Sequence, residues 1–282
     1  MVANNKSKRK KIVNGILWNI FVILITFFFV FPFIYMVMFS FANDDSEILS
    51  MNPRLFPISF RAYNYIDAFK EMHFLRALGN TLLIMIPVII LNMLGSLLAA
   101  YGFARFNGKF KNVLFSILIS TMMLPWVVTM VPAFVVFKKI NWIGTLLPLI
   151  VPSFGGSAYN IFMMRQFLIT MPKELDEAAK IDGCTSFKIL FKILLPNMKP
   201  CIVALFIFLF TSMWSDYIGP SLYIMKDSQQ TLSLALLNFQ NSYSIKWNLT
   251  LAGATMFTIP MIITLFALQK EFVGNSMNSA IK

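Results

Sequence analysis

Apolar residues run along this chain in long stretches, and charged residues are largely confined to the segments between them. Six stretches reach the roughly 20 residues that a helix needs to cross the hydrocarbon of a bilayer. They lie near residues 15–40, 80–104, 112–137, 143–168, 199–218 and 249–269. Lipid offers backbone groups no hydrogen-bond partner, so such stretches must satisfy themselves as helices. The pattern predicts an all-α integral membrane protein with six transmembrane helices. Nothing of domain size lies outside them, so residues 1–282 read as one transmembrane domain, with an N-terminal tail at 1–14 and a loop at 169–198 between spans four and five.

Composition removes the soluble classes. The chain is 58% hydrophobic and 15% aromatic, with a mean hydropathy of +0.72, more apolar surface than a soluble domain can hide. The net charge of +12 reads as topology rather than nucleic-acid binding: with the N-terminus inside, 16 of the 24 basic residues fall on the cytoplasmic side. They cluster in Lys6–Lys11, Arg105–Lys111, Arg165–Lys199 and from Lys270 onward, and the positive-inside rule then places both termini in the cytoplasm. The basic start and the first apolar run read as an uncleaved span, because the run is too long for a signal peptide and no small-x-small cleavage site follows it. Cys184 and Cys201 fall on or near the cytoplasmic side, where a disulfide is not expected. His73, the only histidine, builds neither a metal site nor a triad by itself.

Proline punctuates the middle of the chain. Span three holds Pro125 and Pro132; span four holds Pro148, Pro152 and the pair Gly155-Gly156. Each proline removes a backbone donor and clashes with the preceding turn, so both helices are expected to be kinked or broken. Broken helices at membrane depth face protein or a water-filled cavity, which favours these two spans as pathway-lining. Between spans one and two, the turn-prone Asn52-Pro53 precedes a helix-like stretch in which Tyr63, Ile66, Ala68 and Phe69 could form an apolar stripe lying on the membrane surface; a tethering loop with no partner fits the pattern equally. A second external segment covers about 219–248.

The loop at 169–198 carries the densest pattern: two short helices around one glycine. Thr170 is a candidate N-cap, with Pro172 in the first turn and Glu174, Asp176 and Glu177 near the positive end of the dipole. Gly183 suits the residue after the helix. Phe187, Leu190, Phe191 and Leu194 then mark one apolar face of a second helix, which Pro196 and Pro200 close. Leu175, Ala178 and Ala179 share a face of the first helix that is shallow enough for another protein's backbone, with Glu177 beside it for a basic partner side chain. Read together, Glu177-Ala178-Ala179, Gly183, Ile193, Leu195 and Pro196 spell E-A-A-x3-G-x9-I-x-L-P.

On those residues the chain resembles the inner-membrane permeases of binding-protein-dependent ABC importers, specifically the carbohydrate branch similar to the maltose-transporter permeases. Phe208–Tyr217, Leu232–Phe239, Ala252–Pro260 and Gln269–Val273 also look like segments of that branch. The resemblance implies a permease that forms half of a transmembrane pathway in a bacterial or archaeal cytoplasmic membrane. A second homologous permease, two ATPase subunits and an extracytoplasmic solute-binding protein would complete the complex. Glu177, Ala178, Ala179, Asp182 and Gly183 would couple to the ATPases through a coupling helix in the loop between spans four and five. The tail Gln269–Lys282 is a further candidate contact, although Gly274–Asn278 replaces the family's usual ending.

The chain carries no phosphate-binding loop of its own: Gly108-Lys109 is followed by Phe110, where that loop needs Ser or Thr. ATP and magnesium are therefore expected on the partner ATPase subunits, with no cofactor bound here and no enzymatic activity in this chain. Sugar sites pair aromatic faces with hydrogen-bonding groups, which makes Trp126, Thr129, Tyr159, Asn160, Trp214 and Tyr217 candidates, with Asp216 as a carboxylate at a membrane edge. Cargo other than sugar (amino acids, polyamines or phosphate) fits the same loop signature. A channel accounts for the prolines but not the loop, and a membrane enzyme needs clustered carboxylates or histidines that the spans do not supply.

Overall fold

The computed structural model describes residues 2–49, 54–239 and 246–279, with side chains for 14–49, 54–239 and 246–269. The Asn52-Pro53 turn, the side chains of the N-terminal basic cluster and those of the tail beyond Gln269 lie outside these. All regular structure among the described residues is helical. Four segments are long and apolar enough to cross a membrane: Asn14–Phe39, Phe74–Arg105, Leu147–Thr170 and Trp247–Gln269. Two bent pairs of helices bring the number to six if each pair counts as one span.

The chain divides into two compact units. The first comprises residues 1–71 and 239–256. Its long helix α1 (Val2–Phe39) exposes apolar side chains around its circumference, Phe28 and Phe29 among them, as a helix solvated by lipid does. In the short helix α2 (Tyr63–Glu71) the four residues of the expected stripe do not share one face. The helix turns Asn64 and Ala68 inward and leaves Tyr63, Ile66 and Phe69 at the surface. The reason is a backbone need: Asn64 Nδ2 donates to the carbonyls of Ser40 and Ala42, at 2.9 and 2.7 Å, where the end of α1 leaves acceptors without an intrahelical partner. Asn248 adds a bond to Ala42 at 3.3 Å, and Lys246 pairs with Glu71 at 3.0 Å.

The second unit comprises residues 72–238 and 257–282 and is organised on α3 (Phe74–Arg105). The expected third span is two helices, α4 (Lys111–Thr121) and α5 (Trp126–Lys139), bent by 98° at a break that ends in Pro125. The expected fourth is also interrupted: α6 (Leu147–Ile150) and a 3-10 turn at Val151–Gly155 precede α7 (Ala158–Thr170). Gly156 supplies the break with φ +72. There the backbones touch: a Cβ on Gly95 of α3 would run into the carbonyl of Phe154, and one on Gly156 would meet Ser96 Oγ. Small residues at a helix contact in lipid permit this approach. Polar groups then close it, with Asn160 Nδ2 donating to Asn92 Oδ1 at 2.8 Å and the Ser157 N–H to Ser96 Oγ at 3.2 Å.

The rest of the unit follows in order: α8 (Glu174–Ile181), α9 (Ser186–Lys188), a π-helical stretch at Ile189–Leu194, α10 (Leu195–Asn197), α11 (Lys199–Ser215), α12 (Ile218–Tyr223) and α13 (Leu232–Asn238). The last helix, α14 (Trp247–Ser279), contributes to both units. The core gathers Leu97 and Ala100 from α3, Met164 and Leu168 from α7, and Ile189 and Leu194 from the π stretch. It therefore ties the loop after α7 directly to α3.

Candidate functional site

Residues 171–198 form the first candidate site. Thr170 ends α7, its hydroxyl donating to the Phe167 carbonyl, and α8 begins four residues later. The Lys173 carbonyl accepts from the Asp176 and Glu177 N–H groups at 2.9 and 3.1 Å. The expected cap is thus displaced, because a side chain bonded back to its own helix is not available to the next. Glu174, Asp176 and Glu177 do occupy the first turn of α8, where the helix dipole favours negative charge. At its end, Gly183 takes φ +76. Its N–H donates to Lys180, and the N–H of Cys184 donates to Ala179, at 3.0 and 2.9 Å, the paired closure that a left-handed residue makes possible.

The two faces of α8 differ. Asp176 and Ala179 point inward and are buried, whereas Leu175, Glu177, Ala178 and Asp182 are exposed, and Ile181 is 87% exposed. The sequence grouping of Leu175, Ala178 and Ala179 on one face is thereby split: Ala179 seats the helix, and Leu175 and Ala178 face out. What anchors it is an ion pair between Asp176 Oδ2 and Arg105 Nε at 3.0 Å, with both side chains over 90% buried. The pair is held by charge rather than by an aligned N–H···O bond. Arg105 also donates to the Met171 carbonyl at 3.2 Å. It is the last residue of α3, so the end of that helix holds α8 through Asp176 and the turn before α8 through Met171.

Below α8, Thr185 caps the next turn, accepting from the Lys188 N–H at 3.4 Å. The π winding then re-sorts the expected apolar stripe. Ile189 and Leu194, five residues apart, are both fully buried, as i→i+5 hydrogen bonding aligns them. Leu190 joins them, while Phe187 and Phe191 stack on each other at the surface, ring centroids 6.3 Å apart. Pro196 follows as the second residue of α10.

The second candidate site is a cavity of about 240 Å³ in the same unit. Trp126 and Asp216 line it together with Thr81, Met85, Tyr223 and Thr231. Trp126 is positioned by Pro125 as the first residue of α5. Asp216 follows the end of α11, and its Oδ1 accepts from the Gly219 N–H at 3.1 Å. Thr81 accepts from the Leu232 N–H at 2.8 Å, joining α3 to α13. Of the other sequence candidates, Asn160 is buried against Asn92, and Trp214 is buried with its Nε1 donating to Phe257 at 3.1 Å. Thr129 bonds back to Trp126 at 2.9 Å. Tyr159 packs edge-on to Phe208, and Tyr217 is exposed. None of these five lines the cavity. Thr81, Tyr223 and Thr231 carried no local signal in the sequence. They reach the cavity through tertiary packing alone. No group of three His, Cys, Asp or Glu that could hold a metal ion occurs among the described residues.

Residues 91–273 match the family described as binding-protein-dependent transport system inner membrane component. A probable starch degradation products transport system permease protein of Thermoanaerobacterium thermosulfurigenes is 30% identical, over 97% of this chain and 99% of the relative. An arabinooligosaccharides transport system permease protein of Halalkalibacterium halodurans is 28% identical, over 92% and 93%. The chain also matches, with a TM-score of 0.79 at 19% identity, the crystal structure of a bacterial ABC transporter involved in the import of the acidic polysaccharide alginate. That match covers 93% of this chain and 97% of the other.

Proposed function

Because the chain belongs to the family of binding-protein-dependent transport system inner membrane components, we propose that it forms half of the pathway of an ATP-driven importer of sugars or oligosaccharides. A second, homologous permease forms the other half, and two separate ATPase subunits, with their ATP and magnesium, dock from the cytoplasm. An extracytoplasmic binding protein delivers the cargo. The cargo class rests on the relatives, named for arabinooligosaccharides and starch degradation products. Six spans with both termini in the cytoplasm accord with the distribution of basic residues.

One observation carries the mechanism: α8 is fixed to the end of α3 on its inner face and is free on its outer one. The outer face offers Leu175, Ala178 and Ile181 beside the carboxylate of Glu177, a low apolar ridge with one charge that fits a cleft of an ATPase. When the ATPases close, α8 moves. The buried pair passes that motion to Arg105, and α3 carries it along its axis. Thr81 lies 24 residues earlier on the same helix, about 36 Å at 1.5 Å per residue, where it joins Met85 in the cavity wall. A cavity of about 240 Å³ is smaller than the roughly 300–1,000 Å³ usual for small-molecule sites. It serves as one wall of a path completed by the second permease.

The test is ATPase activity of the complex in liposomes, measured with its binding protein and a panel of solutes. Stimulation by an oligosaccharide or sugar is expected. Stimulation confined to amino acids, polyamines or phosphate contradicts the cargo assignment.

A further inference from the structure

Where α3 meets α4, the chain forms a groove of about 390 Å³ that the transport reading does not use. Its walls are apolar: Phe103, Phe106, Phe110 and Leu114, the last three at least half exposed. Lys111 stands in its lining. Arg165 is tied to the same wall, its Nε donating to the Phe103 carbonyl at 3.2 Å and its guanidinium carbon lying 4.0 Å over the ring of Phe115. The charges of Arg165 and Lys173 both bear on Lys111.

Asp176, the carboxylate at this corner, is committed to Arg105, and neither Lys111 nor Arg165 has an ion pair with an acidic side chain among the described residues. Phe110 gives the start of α4 no side-chain cap, so the positive end of its dipole adds to the same field. An apolar groove at the end of two membrane helices, ringed by positive charge, is complementary to one class of molecule. Acyl chains fill the groove, and a phosphate held at the interface answers the cations.

We infer that the groove formed by residues 102–114, with Arg165 beside it, binds an anionic phospholipid. The site lies beside α8, to which Arg105 at the end of α3 is joined. It rests on the permease reading only in requiring that this end of α3 reach a membrane interface. The lipid would hold the α3–α4 corner in place beside the helix that grips α8, linking transport to the anionic lipid content of the membrane.

Native mass spectrometry of the delipidated transporter complex tests this. Phosphatidylglycerol and phosphatidylcholine with identical acyl chains are titrated separately, with glycerol phosphate as a headgroup lacking chains. Wild type should retain phosphatidylglycerol preferentially. Each cation near an anionic headgroup is worth roughly a five-fold preference, so Lys111→Gln should lower the preference by about that factor. Arg165→Gln should lower it further, and Lys226→Gln, an exposed lysine elsewhere, should leave it unchanged. Equal retention of the two lipids by wild type overturns the inference. So does a preference that survives Lys111→Gln, glycerol phosphate binding as tightly as the lipid, or a photocrosslinker at Phe110 that captures an ATPase subunit instead of lipid. Recovery of ATPase subunits with the purified chain is scored separately and reports on the transport reading alone.

Discussion

Arg105 and Asp176 are the two residues on which the account of coupling turns. Removing one partner of a buried ion pair leaves the other charged in a medium that solvates it poorly, at a cost of about 3–5 kcal/mol. Asp176→Asn is therefore expected to lower the midpoint of thermal unfolding of the purified complex clearly. The double variant Arg105→Met with Asp176→Leu should recover much of that loss, because it removes both charges together. If the double variant proves as stable as wild type but transports poorly, the pair matters for motion rather than for folding. Gly183 gives a second test at this scale. At φ +76 a branched side chain costs about 1–2 kcal/mol, so Gly183→Val should destabilise the α8 terminus and reduce transport. Gly183→Asn, which tolerates that conformation better, should do less harm.

At the scale of elements, α3 is the organising helix, and its contact with the interrupted fourth span depends on the absence of side chains. Gly95→Leu would drive a side chain into the Phe154 carbonyl. It is expected to cost at least the roughly 1–3 kcal/mol typical of overpacking, read as loss of folded protein after membrane extraction. The same contact marks the limit of reading elements from local pattern. Pro125 and the pair Gly155-Gly156 marked breaks in advance because the effects of proline and glycine on the backbone are local. The helical identity of the spans was legible for the same reason, as was the turn at Gly183. Asn160 was visible as a polar residue in an apolar helix, but its partner Asn92 lies 68 positions away. The pairing of Arg105 with Asp176, 71 positions apart, is hidden in the same way. The π stretch escaped as well: a stripe at i, i+3, i+4 and i+7 assumes α-helical winding, and the added residue per turn turned Phe187 and Phe191 out.

For the molecule as a whole, the proposed docking face on α8 and the proposed pathway wall at the far end of α3 are separate, and the two should respond independently. Trp126→Ala and Asp216→Asn alter the cavity without touching α8. They are expected to change the concentration dependence or rate of solute uptake while leaving ATPase subunits bound. Loss of the ATPases in either variant would show that the two sites are not separable.

The most direct test of the central claim is purification of tagged wild type and Glu177→Lys from native membranes, with co-purifying proteins identified by mass. Glu177 is exposed on α8 and has no ion pair among the described residues, so reversing its charge should spare the fold. An ATPase, a second permease and a solute-binding protein are expected with the wild type, and the ATPase alone should be lost from the variant. Recovery of the ATPase at wild-type levels with Glu177→Lys, or its absence from both samples, would contradict α8 as the docking element.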